Sequence, residues 1–145
     1  MGKEKNMAMY FRNIFHKRNF LSRVKKNNVK QRKENLAVLY LVTADSSLWK
    51  MAKKEIYKDR IHLSKMNICG ISTVGYTLLK VALDIQEKSS NISINNLCDK
   101  YLIPKDVYQL VLTAVQIGRE GYKAIDCVDK KIKDEENEDG EKQNV

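Results

Sequence analysis

Proline is nearly absent from this chain, with one in 145 residues, and glycine is scarce at six. So few breakers argue against a many-turned β architecture and favour long helices. Cysteine is sparse too. Cys69, Cys98 and Cys127 are odd in number and include no C-x-x-C pair, which argues against a disulfide framework. Their equal spacing lacks the close pairs and neighbouring histidines that a metal site requires, so no metal is expected. They read as buried free thiols in a reducing compartment. No apolar run reaches the roughly eighteen residues needed to span a bilayer, and no secretory signal opens the chain. Met1-Gly2 is followed by Asn6 where a myristoylation signal requires Ser or Thr. A cytoplasmic protein without membrane contact is expected.

Acidic charge is missing from one end. Glu4 is the single acidic residue among the first 33, against eleven Lys and Arg. Residues 34–128 carry +2 and the tail from Asp129 carries −3, so the overall +9 describes one end of the molecule. Such a localised basic face predicts a polyanionic or acidic partner. Lysine nevertheless outnumbers arginine 21 to 6. Nucleic-acid surfaces lean on arginine for bidentate contacts, so a solvated surface is the alternative.

Hydrophobic residues at 43% are enough for one core and one domain. Tyr10, Phe11, Ile14, Phe15, Leu21 and Val24 recur at helical steps and predict a first helix over about Met9–Lys25. Its other face would carry Arg12, Lys17, Arg18, Arg23 and Lys25. Leu36, Ala37, Leu39, Tyr40 and Thr43 predict a second helix ending near Ala44. Asp45-Ser46-Ser47 supplies the cap of a third, with Leu48, Trp49, Ala52 and Ile56 inward. From Asp59 to Ile68 the pattern approaches alternation and reads as an extended connector or short hairpin. Ser72 or Thr73 caps a fourth helix with Val74, Leu78, Val81, Ala82 and Ile85 inward, and Ser93 opens a shorter fifth. Pro104 suits the first turn of a sixth, with Val107, Leu110, Val111, Ala114 and Ile117 as its core stripe. Tyr76, Leu78, Ala82 and Ile85 recur as Tyr108, Leu110, Ala114 and Ile117 at an offset of 32, which predicts two helices that pack alike.

The expected fold is therefore all-α, a single-domain bundle of five to six helices with at most one short β-hairpin near residues 56–68. Residues 1–8 are expected to be a flexible N-terminus, 9–128 the helical domain and 129–145 a disordered acidic tail.

Phe15-His16 with Asn19-Phe20, Glu34 with Ala37 and Tyr40-Leu41, Leu48-Trp49, Ile61, Gly70-Ile71-Ser72 ahead of Leu79 and Ala82, and Ala114-Val115-Gln116-Ile117 follow one another in a telling order. In this order the chain resembles a family of small uncharacterised proteins from Gram-positive bacteria, their phages and mobile elements. The resemblance spans most of residues 11–120. It implies an all-helical domain in a mobile-element setting, and it carries no assigned chemical activity to this chain.

Nothing in the chain specifies a reaction. His16 reads as a core or capping histidine, and His62, between Ile61 and Leu63, should point outward from an extended stretch. Glu34 and Asp45 are eleven residues apart, too far to share a substrate on one helix. No phosphate-binding glycine motif is present; Gly70 reads as a turn and Gly75 as a tolerated helix glycine. No enzymatic activity and no cofactor are expected. Asn95–Ile117 can be drawn as a helix-turn-helix, but its outward set of Lys105, Asp106, Gln109, Thr113, Gln116 and Arg119 is nearly neutral, so a plain helical hairpin is preferred. The preferred function is a non-enzymatic binding protein of phage or mobile-element type. It would be an inhibitor or adaptor engaging a host protein, nucleoprotein or defence complex, in the manner of an anti-CRISPR protein. The alternative is a nucleic-acid-binding accessory or regulatory protein. In either case the binding face would be Arg12, Lys17, Arg18, Arg23, Lys25, Lys26, Lys30, Arg32 and Lys33. The acidic tail could act as a nucleic-acid mimic, a competitor for that face or a solubility tail.

Overall fold

The computed structural model describes residues 9–27, 32–57 and 60–121, apart from the side chains of Lys26 and Asn27. The N-terminal residues 1–8, the residues from 122 onward with Cys127 and the acidic tail, and Lys30 lie outside the described residues. Six α-helices and one two-stranded antiparallel hairpin make up the described fold, so the molecule is an all-α bundle with a short hairpin. In order they are α1 (Ile14–Asn27), α2 (Lys33–Val42), α3 (Ser46–Ala52), β1 (Ile56–Tyr57), β2 (Arg60–Ile61), α4 (Thr73–Glu87), α5 (Ile94–Cys98) and α6 (Lys105–Glu120).

The centre of the bundle is α2. Every residue from Leu36 to Val42 is buried, so this helix is apolar all round rather than amphipathic. It packs most extensively along α4 and α6. The 32-residue recurrence marks this pair: Leu78 and Leu110 are fully buried, as are Ala82 and Ala114, while Tyr76 and Tyr108 both face out. Leu39, Trp49 and the predicted core stripe of α6 are buried as well.

Helix ends follow local chemistry. Asp45 caps α3 by accepting from Leu48 N–H, Ser72 caps α4 by accepting from Gly75 N–H, and Ser93 forms a reciprocal capping box with Asn96. Pro104 sits at the N-cap of α6, one residue ahead of its first turn. Lys88 closes α4 in the left-handed region at φ 57°, and the Asp84 carboxylate gathers Ser89, Asn91 and the Ile92 N–H to reverse the chain. The hairpin pairs Ile56 with Ile61 and Tyr57 with Arg60, and Gln86 Nε2 donates to Ile61 O at 2.9 Å to anchor it on α4.

Helix α1 departs from expectation. It begins at Ile14 rather than Met9, because the Asn13 side chain takes the His16 N–H at 2.9 Å and caps the helix there. Its inward line is His16, Phe20 and Val24 at four-residue spacing, which turns Ile14 and Phe15 outward. Phe11 still reaches the core without being helical, with its ring 5.1 Å from His16 and 6.0 Å from Tyr40. The cysteines also differ from expectation. Cys69 and Cys98 are exposed free thiols, since one lies in the 69–70 turn and the other ends the short α5, which buries no residue.

Candidate interaction surface

The charged groups of the predicted face divide according to what the fold does with them. Arg12 is drawn inward. Its Nη1 donates to Ala44 O at 3.3 Å and Asp45 Oδ1 at 3.3 Å, and its Nε lies 3.3 Å from Asp106 Oδ2. Two carboxylates neutralise it, so Arg12 is a clamp between α3 and α6 rather than part of an open basic patch. Lys33 leans on the C-terminal end of α6, donating to Arg119 O at 3.2 Å, where the negative end of the helix dipole favours a cation. The Arg23 guanidinium lies 5.4 Å from the centroid of Trp49 and joins α1 to α3. Lys17 and Arg23 are half-buried; Arg18, Lys25, Arg32 and Lys33 are exposed. Lys26 lies on α1 with its side chain outside the described residues, and Lys30 lies outside them altogether.

The outer face of α1 therefore combines cations with apolar groups. Helical geometry sets Ile14, Phe15, Arg18 and Lys25 on the side opposite His16, Phe20 and Val24, and Phe15 is 68% and Ile14 51% exposed. Helical spacing alone puts both apolar residues on the apolar face of the first helix, opposite its cations. The signal that corrects it is the His16-Phe20-Val24 line, which a 3.6-residue period cannot share with Phe15.

Beneath this face lies a polar knot centred on Asp45. Its carboxylate accepts from Leu48 N–H at 3.1 Å, from the hydroxyls of Ser47 and Ser72, and from Arg12. Burial alone would raise the Asp45 carboxyl; the three hydrogen bonds and the Arg12 charge together outweigh it and hold the group below its ordinary value. Next to it, His16 Nδ1 accepts from Arg12 N–H at 3.0 Å, so the ring proton sits on Nε2 and is donated to Tyr40 O at 2.8 Å. Burial pushes the His16 imidazole down to about 4, opposed by the Tyr40 carbonyl and aided by Arg12. Both ring nitrogens are committed within the fold, which makes His16 a structural histidine. His62 is half-buried beside Tyr57, with ring centroids 6.1 Å apart.

Two open hollows flank the start of α3 and share Ser46. One, of about 830 Å³, lies between α1 and α3 and is lined by residues that include Arg12, Asn13, Phe15, Asn19 and Asp106. The other, of about 770 Å³, runs from Lys50 and Lys54 to Asn67, Cys69 and Gly70. Among the described residues no group of three His, Cys, Asp or Glu side chains is placed to hold a metal ion. None of the described helices is long and apolar enough to cross a membrane. Of the outward set drawn for a helix-turn-helix, Asp106, Gln109 and Thr113 are half-buried, and Asp106 is paired with Arg12.

The chain matches no family model, no curated protein and no solved structure.

Proposed function

We propose that this chain is a non-enzymatic binding protein that docks the outer face of α1 onto an acidic-rimmed apolar groove of a protein partner. The carrying observation is the exposure of Ile14 and Phe15 on the same helix face as Arg18 and Lys25. An aromatic anchor with a cationic surround suits a helix-in-groove contact, in which the apolar side chains supply residence time and the charges supply steering. A partner within a host nucleoprotein or defence complex, engaged by an inhibitor or adaptor of phage or mobile-element type, fits this reading and the family resemblance. Direct nucleic-acid binding is the second reading. It is disfavoured because Arg12 is consumed by Asp45 and Asp106 and Lys33 is turned toward α6.

Capture of a partner from host lysate, with and without nuclease, tests the choice when paired with titration of purified protein against DNA and RNA at two salt concentrations. The expected result is a nuclease-resistant partner that is lost in the Ile14→Ser/Phe15→Ser variant, whose melting is unchanged. Nuclease-sensitive capture would replace this reading with the second. So would nucleic-acid affinity that falls log-linearly with salt, at a slope of about −0.7 to −0.9 per neutralised phosphate.

A further inference from the structure

Helix α6 carries two apolar stripes, and the core uses only one. On the side away from Val107, Leu110 and Ala114, the helix exposes Tyr108 (39%), Leu112 (48%) and Val115 (49%), followed by the exposed Arg119. The steps along this stripe are four, three and four residues, the alternation of a coiled-coil seam. That spacing reads the same from either end.

A palindromic seam is complementary to itself under a two-fold axis. One antiparallel register sets Leu112 against Val115 of a second copy and, in the same step, Tyr108 against Arg119 of that copy; the axis repeats both contacts. The apolar residues then meet in the middle, and each guanidinium reaches a tyrosine ring, a favourable cation–π pairing. Charge selects the direction. Lys105 and Glu120 are exposed on the same flank of the stripe at opposite ends of α6, so antiparallel pairing sets each opposite its counterion at the rim. Parallel pairing would put the two Lys105 on opposite sides of the seam and bring neither of them to a Glu120. Tyr101, 89% exposed, and Leu102, 53% exposed, enter α6 just ahead of Pro104 and extend the apolar surface beyond the helix. That extension matters because a stable interface needs about 800 Å² per partner.

We propose that two copies of this chain associate through the outer face of α6 as an antiparallel two-fold dimer. The face is separate from the α1 surface of the proposed function, so either can hold without the other. Sedimentation of the full chain from micromolar to submillimolar concentration should show a reversible monomer–dimer equilibrium. Leu112→Glu should be monomeric throughout with unchanged melting by circular dichroism, since that side chain is half outside the fold. Arg119→Glu should weaken the dimer roughly tenfold, two symmetric cation–π contacts being lost, and Phe15→Glu should leave it intact. A dimer that survives Leu112→Glu, or is lost with Phe15→Glu, would place the contact elsewhere and overturn the proposal. A wild-type chain that stays monomeric throughout would also overturn it, whether the face is left open or taken by residues 122–145.

Discussion

One buried side chain should make this fold sensitive to acid. His16 is 1% exposed and neutral, and its folded value of about 4 lies below the 6.5 of an exposed imidazole. Between those values the unfolded chain takes up a proton that the folded chain refuses. Stability is therefore full above pH 6.5, falls as pH drops toward 4 and levels off below, with a total loss of about 3 kcal/mol. The Asp45 carboxyl, held below its ordinary 3.8, adds its own loss only at still lower pH. Urea denaturation of wild type and His16→Gln at pH 7 and pH 4.5 checks this. The variant, having no imidazole, should lose markedly less stability over that interval; equal losses would assign the acid sensitivity to other groups.

At the scale of elements, the ends of α3 and α4 are joined by one glycine. Gly75 read from the sequence as a tolerated helix residue, but a Cβ there would stand 2.7 Å from Asp45 Oδ2 and 2.9 Å from Ile71 Cγ1. The carboxylate has no freedom to retreat, being held by Leu48 N–H, Ser47, Ser72 and Arg12. Glycine is present here because two helix starts approach too closely for any side chain. Although alanine is the better helix former, Gly75→Ala should destabilise by about 1–3 kcal/mol, as overpacking does. A thermal melt of the variant reports the sign: lowered melting is expected, and raised melting would mean the contact relaxes freely.

For the molecule as a whole, one core joins the helices around α2, with Phe20 and Val24 from α1, Leu48 and Trp49 from α3, Leu78 from α4 and Leu110 from α6 in the same cluster. Unfolding should be a single cooperative event. Trp49 fluorescence, which reports the α1–α3 contact through Arg23, should change at the same urea concentration as far-UV circular dichroism. Separate midpoints would mean that α1 and α3 melt independently of the α2, α4 and α6 centre.

The helices themselves were legible in the sequence because their causes are local. Three-and-four spacing marked the stripes of α4 and α6, and Asp45, Ser72, Ser93 and Pro104 lie at the N-caps of their helices. The 32-residue recurrence announced two helices packed alike, and the near absence of proline and glycine announced the helical class. The candidate surface was legible only in part. Its cations could be counted, but their fates depend on groups far away in the chain: Arg12 is neutralised by Asp45 and Asp106, and Lys33 is turned toward Arg119, 86 residues on. Whether Phe15 or His16 enters the core is likewise not a local matter. It depends on a carbonyl at Tyr40 that can take the imidazole N–H and on an Arg12 N–H that can give to the other nitrogen. Periodicity specifies that a helix has an inner face, since burial of apolar area drives it there. Which residues occupy that face is decided when the facing helix offers, or fails to offer, a partner for each polar group about to lose its water.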